Sequence, residues 1–387
     1  MIIIKDFVLQ NGGKNMKKRE FYRKYKEKLP VVAICYDFDK TLSPDDMQAQ
    51  GYIQSVGFEV AKFWEEANGL ACDNQMDSNL AYMYKMVQEA EGNFAFTRKA
   101  LEDYGSKVEL FPGVDTWFER IRKFAIEHGV IVEHYIISSG LKEMIEGTKM
   151  AKEGAFERIF ASSFYFNERG VAIWPAQAIN YTSKTQFLFR IEKGVLDVND
   201  PGVNEHFPKG EIRVPFRNMV YVGDSDTDIP CMKLVTDNGG HSIGVYNPYT
   251  GDKNKVYKMI KDRRIRHFAA ADYTEGSEMD SLIKAIILKT VSDEVLEDKY
   301  LDNLNETDEA IRVRDTINTL EQAAHLEDQT GKHIKDILEN PSAFEGEDAK
   351  LDKTLTYIKK AKSTRKKTVK TDTVQKADAP KVEAPKE

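Results

Sequence analysis

The sequence predicts an α/β fold: a three-layer core on a mainly parallel sheet, a helical cap inserted after the first core strand, a small β-hairpin insertion and a C-terminal helical extension. Three observations carry this. First, Val31–Tyr36 is a continuous apolar run, as expected of a strand covered on both faces. Second, similar runs recur at 130–137, 219–222, 241–246 and 267–273, separated by segments of helical apolar spacing, and strands alternating with helices imply parallel pairing through right-handed crossovers. Third, residues capable of chemistry stand where three of these runs end, at the edge where open α/β sheets hold ligands.

Taken in order, residues 1–30 form a basic N-terminal segment through Lys14, Lys17, Lys18, Arg19, Arg23, Lys24, Lys26 and Lys28, read as solvated surface; Met16 is an alternative start to Met1. The core then begins, at 31–44. Asp37 and Asp39 lie two residues apart at the end of the first strand, so an extended backbone aims both carboxylates the same way. That is the geometry of a nucleophile beside an acid/base, although Asp37, Asp39 and Thr41 also suit a turn. The stretch 45–110 is too long for a connection inside a compact domain and is read as the helical cap. Helical spacing appears at 58–66, 79–90 and 95–104, with Asp77 and Ser78 placed to cap the second, and Trp64, Tyr82, Tyr84 and Phe94 are expected to fill the cap's core.

The chain re-enters the core at 111–275. Pro112-Gly113 opens an amphipathic helix with Val114, Trp117, Phe118, Ile121, Phe124 and Ala125 on one face. The strand at 130–137 ends in Ser138-Ser139-Gly140 before a helix near Leu141; a hydroxyl there can hold a phosphoryl oxygen or simply cap the helix. Runs at 159–166 and 171–174 flank Asn167-Glu168-Arg169-Gly170, a hairpin read as a flap beside the site. Lys184 opens a helix carrying Phe187, Leu188 and Ile191, and a cation near a helix amino terminus wants an anionic partner unless it is merely a surface lysine. Gly223-Asp224-Ser225-Asp226-Thr227-Asp228 follows the run at 219–222; its clustered oxygens suit Mg²⁺, Gly223 is expected to allow a sharp turn, and Asp226 is the spare carboxylate. Residues 276–358 read as a charged helical extension, with helical pattern at 282–288, 310–326 and 334–338, and 359–387 as a disordered basic tail.

These four stretches stand in the order of the four motifs of the haloacid dehalogenase superfamily, which the chain resembles over about residues 31–275. The resemblance implies a Rossmann-like core and phosphoryl transfer through an aspartyl-phosphate. By it, Asp37 is the nucleophile, and Asp39 protonates the leaving oxygen and then deprotonates water. Ser138, Ser139, Gly140 and Lys184 hold the phosphoryl group. Asp37, the Asp39 carbonyl and Asp224 ligate Mg²⁺, with Asp228 meeting the metal's waters or Lys184. An aspartate at position 39 favours a phosphatase or phosphomutase over the dehalogenases and ion-pumping ATPases of the superfamily. The cap's place in the chain looks like the phosphoserine phosphatase branch. Two departures bear on phosphoserine itself: Asp46 stands where that enzyme carries a glutamate facing the substrate amine, and Ser138-Ser139-Gly140-Leu141 replaces its Ser-Gly-Gly-Phe loop.

Composition narrows the classes. Charged residues are 31% and apolar residues 41%, with no apolar run near the ~18 needed to span a bilayer, so a soluble cytoplasmic protein without membrane insertion is expected. Cys35, Cys72 and Cys231 are too scattered for a disulfide framework or zinc site. A net charge of −7 argues against a general nucleic-acid binder. The expectation is thus a Mg²⁺-dependent phosphatase acting on the phosphate monoester of a small metabolite. The alternatives are a polynucleotide or protein phosphatase, or a non-catalytic scaffold acting through C-terminal helices whose apolar positions also suit homo-oligomerisation.

Overall fold

In the computed structural model, residues 28–339 are described. Most of the basic N-terminal segment (1–27), and residues 340–387 with the tail expected to be disordered, lie outside them. β1 (Val31–Tyr36) is central in a seven-stranded sheet. On one side of it follow β2 (Ile131–Leu141), β3 (Arg158–Phe166) and β4 (Ala172–Gln177); on the other, β5 (Met219–Gly223), β6 (His241–Tyr246) and β7 (His267–Ala270). Every pairing is parallel except β3 with β4. Val32, Ile34 and Tyr36 join one core cluster while Val31, Ala33 and Cys35 join a second, so alternate residues of β1 serve the two faces and the domain has three layers. The chain winds outward from β1 to β4 and then returns to β5 on β1's other flank. That reversal opens a crevice at the carboxyl ends of β1 and β5.

Four helices occupy the cap region: α1 (Tyr52–Ser55), α2 (Val60–Asp73), α3 (Ser78–Ala90) and α4 (Arg98–Gly105). Asp77 caps α3, its Oδ1 accepting from the N–H groups of Asn79 and Leu80. Tyr82 is buried, and Trp64 and Phe94 pack against the core. Tyr84 is a correction, since it is 52% exposed: two positions beyond Tyr82 it lies nearly opposite on the helix and cannot share the inward face. The two ends of this region meet where the Phe111 N–H donates to the Leu42 carbonyl.

α5 (Val114–Glu127) buries Val114, Trp117, Phe118, Ile121 and Ala125 against the sheet. Gly113 before it has φ of 79°, and a Cβ there would come within 2.4 Å of the Thr274 nitrogen, so only glycine fits the turn. α6 (Lys142–Gly147) and α7 (Lys149–Lys152) follow β2. α8 (Thr185–Lys193), α9 (Ile229–Asp237) and α10 (Asn254–Lys261) send Phe187, Leu188, Ile191, Cys231, Met232, Val235, Val256 and Met259 into the other face's cluster.

Three placements differ from the sequence reading. The Asn167–Gly170 turn does form a hairpin, but β3 pairs in parallel with β2, so its first strand belongs to the central sheet and only β4 adds an edge. β2 does not end at Ile137; it runs on to Leu141 through a register irregularity between Ser138 and Leu141, so Ser138 is not a helix cap. The three helical patterns after 276 belong to one continuous helix, α11 (Glu278–Glu339). The division between two compact units falls after Leu296: Met279, Ile283, Ile286 and Ile287 lie in the core of the first unit. Among the described residues no helix is long and apolar enough to cross a membrane.

Candidate active site

The crevice between β1 and β5 receives carboxylates from both strand ends. Asp37 is the first residue past β1, fixed by its N–H to the Val222 carbonyl of β5 at 2.9 Å. After it the chain turns at once: the N–H groups of Thr41, Leu42 and Ser43 all approach the Phe38 carbonyl, at 3.2, 2.8 and 3.1 Å. Asp224 and Asp228 lie beyond β5. Oxygens of Asp37, Asp224 and Asp228 come within 4.8 Å of one another. Asp226 lies exposed in the turn between them.

Lys184, the last residue of the 3₁₀ turn Tyr181–Lys184 ahead of α8, is fully buried. Its ammonium donates to Asp228 Oδ1 at 2.7 Å and lies 3.2 Å from Asp37 Oδ1 as an ion pair outside hydrogen-bonding geometry. Burial alone would disfavour the charge, but Asp228 and Asp37 outweigh it and hold the lysine's pKa above the ordinary value. Asp228 is saturated. Besides Lys184, Tyr221 donates to Oδ1 at 2.9 Å, and the N–H and hydroxyl of Ser225 reach Oδ2 at 3.0 and 2.9 Å. Asp224 is less tied: Lys255 Nζ stands 4.0 Å from its Oδ2.

This carboxylate cluster is short of positive charge. Burial, then repulsion from Asp228, pushes Asp37 up to about 6 despite Lys184. Burial with Asp228 and Asp37 pushes Asp224 up to about 8. The buried Lys184 ammonium, with Lys255 4.0 Å from the part-buried Asp224, does not offset three clustered carboxylates, and an all-oxygen donor set of this kind suits a hard divalent cation.

Asp39 stands beside this cluster in a different setting. Its Oδ1 accepts the Met47 N–H at 2.8 Å. Burial, with Asp46 and Asp37 nearby, holds its pKa well above the ordinary carboxylate value. Its Oδ2 faces Gly140, where a Cβ would lie 2.8 Å from that oxygen and 2.4 Å from Met47 Cε. The Ser138–Gly140 stretch therefore meets Asp39 through its glycine. The Ser138 hydroxyl accepts from the Gly140 N–H at 3.0 Å, which leaves its own proton to donate, and the buried Ser139 hydroxyl has no hydrogen-bond partner among the described residues. The Ser139 carbonyl accepts from the cap, from Tyr82 at 2.8 Å. Asp46, at the place the resemblance gives to an amine-reading carboxylate, is gripped by Lys40 at 2.9 and 2.8 Å.

Gly223 differs from the expectation. Its φ is not in the left-handed region, and a Cβ would lie 2.6 Å from the Asp228 carboxyl carbon; it makes room for Asp228 rather than for a sharp turn. Sequence reasoning missed Tyr221, Ser225, Met47 and Lys40. Tyr221 alone left a signal, as a hydroxyl inside an otherwise apolar strand that a buried position obliges to find a partner.

A family model described as haloacid dehalogenase-like hydrolase matches residues 34–233, just over half of the chain. A Borreliella burgdorferi protein is 27% identical over 288 residues, covering 68% of this chain and 99% of that one. Among solved structures, a HAD family hydrolase of Salmonella enterica serovar Typhi aligns at 15% identity and a TM-score of 0.44, covering 67% of this chain and 73% of that one. A substrate-bound phosphoserine phosphatase aligns at 14% identity and a TM-score of 0.38, covering 61% and 99%.

Proposed function

Because the chain belongs to the haloacid dehalogenase-like hydrolase family, we propose that it is a Mg²⁺-dependent phosphatase hydrolysing the phosphate monoester of a small metabolite through an aspartyl-phosphate. The observation that carries this reading is the buried Lys184 ammonium set between Asp37 and Asp228, with a second carboxylate, Asp39, fixed on a backbone N–H alongside. Asp37, the Asp39 carbonyl and Asp224 would hold the metal, and Asp228, its oxygens already engaged, would orient Lys184 and the metal's waters. When bound, Mg²⁺ offsets the repulsion between the phosphate dianion and these carboxylates.

In the first half-reaction an Asp37 oxygen attacks phosphorus, the ester P–O bond breaks, and the leaving oxygen takes the proton of Asp39. Burial, with Asp46 and Asp37 nearby, raises the pKa of Asp39, the direction a proton donor requires. In the second half-reaction Asp39 removes a proton from water as the water oxygen attacks phosphorus. The bond between Asp37 and phosphorus then breaks and phosphate leaves. Lys184 and the donors of 138–140 stabilise charge on the non-bridging oxygens in both steps. Burial of Asp37, Lys184 and Asp228 favours a small substrate over a polymer.

The test is turnover of p-nitrophenyl phosphate by the full chain. Wild type is expected to be active, to lose activity with EDTA and to regain it with Mg²⁺, while Asp37→Asn falls to the level of the chelated enzyme. A fully active Asp37→Asn would rule out this nucleophile.

A further inference from the structure

Between the two acids of the first motif and the cap runs a nine-residue loop, 39–47, that is closed on itself twice. One closure joins its ends, the Met47 N–H to Asp39 Oδ1 at 2.8 Å. The other lies one residue inside, where the Lys40 ammonium meets both oxygens of Asp46 at 2.9 and 2.8 Å. Lys40 adopts φ of 56°, a left-handed conformation disfavoured for a residue with a side chain, so its backbone is held there by its surroundings. Met47 then anchors the loop on the far wall: its Sδ accepts the Leu141 N–H at 3.3 Å, and its methyl group lies where a side chain on Gly140 would go.

We propose that the Lys40–Asp46 ion pair is a clamp that positions Asp39 as the proton donor to the leaving group. Asp46 directly precedes Met47, so fixing Asp46 fixes the N–H that orients the Asp39 carboxyl. The pair is about half exposed at Lys40, where an isolated ion pair adds little to stability, so its consequence lies in orientation. Lys40 and Asp46 hydrogen-bond to each other and to neither Asp37 nor Asp39, so in this proposal both act by positioning Asp39. The inference rests on the phosphatase reading above. In the step concerned, the Asp39 O–H bond breaks and a leaving-oxygen O–H bond forms as the ester P–O bond breaks and the bond from Asp37 to phosphorus forms.

A misplaced general acid harms esters in proportion to how badly their leaving group needs the proton. The test is kcat/KM, which reports the steps up to departure of the leaving group, for phenyl phosphate and for p-nitrophenyl phosphate. Lys40→Met and Asp46→Asn should lose about tenfold more on phenyl phosphate than on p-nitrophenyl phosphate, a fraction of what general acid catalysis supplies. Lys40→Arg, which keeps the charge, should preserve the wild-type ratio between the esters. Equal losses on both esters, or none, overturn the clamp whatever the absolute rates. A wild type that hydrolyses neither ester overturns the phosphatase reading, and the clamp with it.

Discussion

Glu143, near the start of α6, carries a carboxyl in a setting that resists its charge. Its side chain is fully buried; Oε1 accepts the Phe164 N–H at 3.2 Å with Arg98 3.8 Å away, and Oε2 has no hydrogen-bond partner among the described residues. Burial is the main cause of a pKa pushed from 4.5 to about 7, and the amide and Arg98 only moderate it. A carboxyl whose pKa is raised by folding binds its proton more tightly in the folded chain than in the unfolded one. Stability is therefore greatest below the unfolded value and declines as pH rises from about 4.5 to about 7. The upper limit of that loss is about 3 kcal/mol. Glu143→Gln keeps the shape and removes the ionisation. Its melting temperature should exceed that of wild type by a few degrees at pH 8, with the gap closing at pH 5. Parallel melting curves across that range would show that Glu143 is not charged at a cost in the fold.

At the scale of elements, cap and core meet through polar contacts at both ends of the cap: Arg98 pairs with Glu143 and Glu146, and the Ala172 N–H donates to the Phe96 carbonyl. Tyr82 of α3 donates to the Ser139 carbonyl, Asn79 donates to the Ile179 carbonyl, and Asn180 donates to Ser78. The Tyr82 bond reaches the strand end that faces Asp39, so holding the cap and shaping the site are one interaction. Tyr82→Phe removes only the hydroxyl, and a buried hydrogen bond contributes about 1 kcal/mol. Amide exchange across 78–90 should quicken by roughly fivefold, with β5 unchanged, if opening of the cap is what that bond resists. Unchanged exchange in α3 would mean that the apolar packing of Trp64 and Phe63 suffices. The existence of these elements was legible in the sequence because periodicity and caps are local signals; Asp77 is an instance. Their partners were not. Asn167–Gly170 announces a hairpin, yet nothing in 158–166 says that this strand also pairs with β2. Likewise Asp37, Asp39, Asp224 and Asp228 stand out as charges at the ends of apolar runs, whereas Met47 and Lys40 act through contacts that exist only once the loop has closed.

Over the whole molecule, composition shifts after Gly276, but the first unit continues to Leu296. The reason is visible in α11: Met279, Ile283, Ile286 and Ile287 are buried, Asp280 pairs with Arg120 and with Lys284, and Glu294 receives Arg217 at 2.8 Å and Asn218 at 2.9 Å. A charged helix with one apolar stripe looks alike in sequence whether that stripe is covered or not, so the boundary could not be read from residues alone. Beyond it, Tyr300, Val313 and Ile317 are about half exposed. Two truncations separate these regions. A chain ending at 296 retains every residue of the candidate site and the buried turns of α11, and should keep its melting temperature and its kcat/KM on a phosphate ester within about twofold, since the first unit has its own core. A chain ending at 276 exposes the surfaces that four buried apolar side chains cover, each contributing about 1.5–3 kcal/mol. Set against a total stability of about 5–15 kcal/mol, that loss should leave it unfolded or aggregated. If the chain ending at 296 is folded by circular dichroism yet inactive, residues after Leu296 take part in catalysis, and a site confined to the first unit is the wrong description.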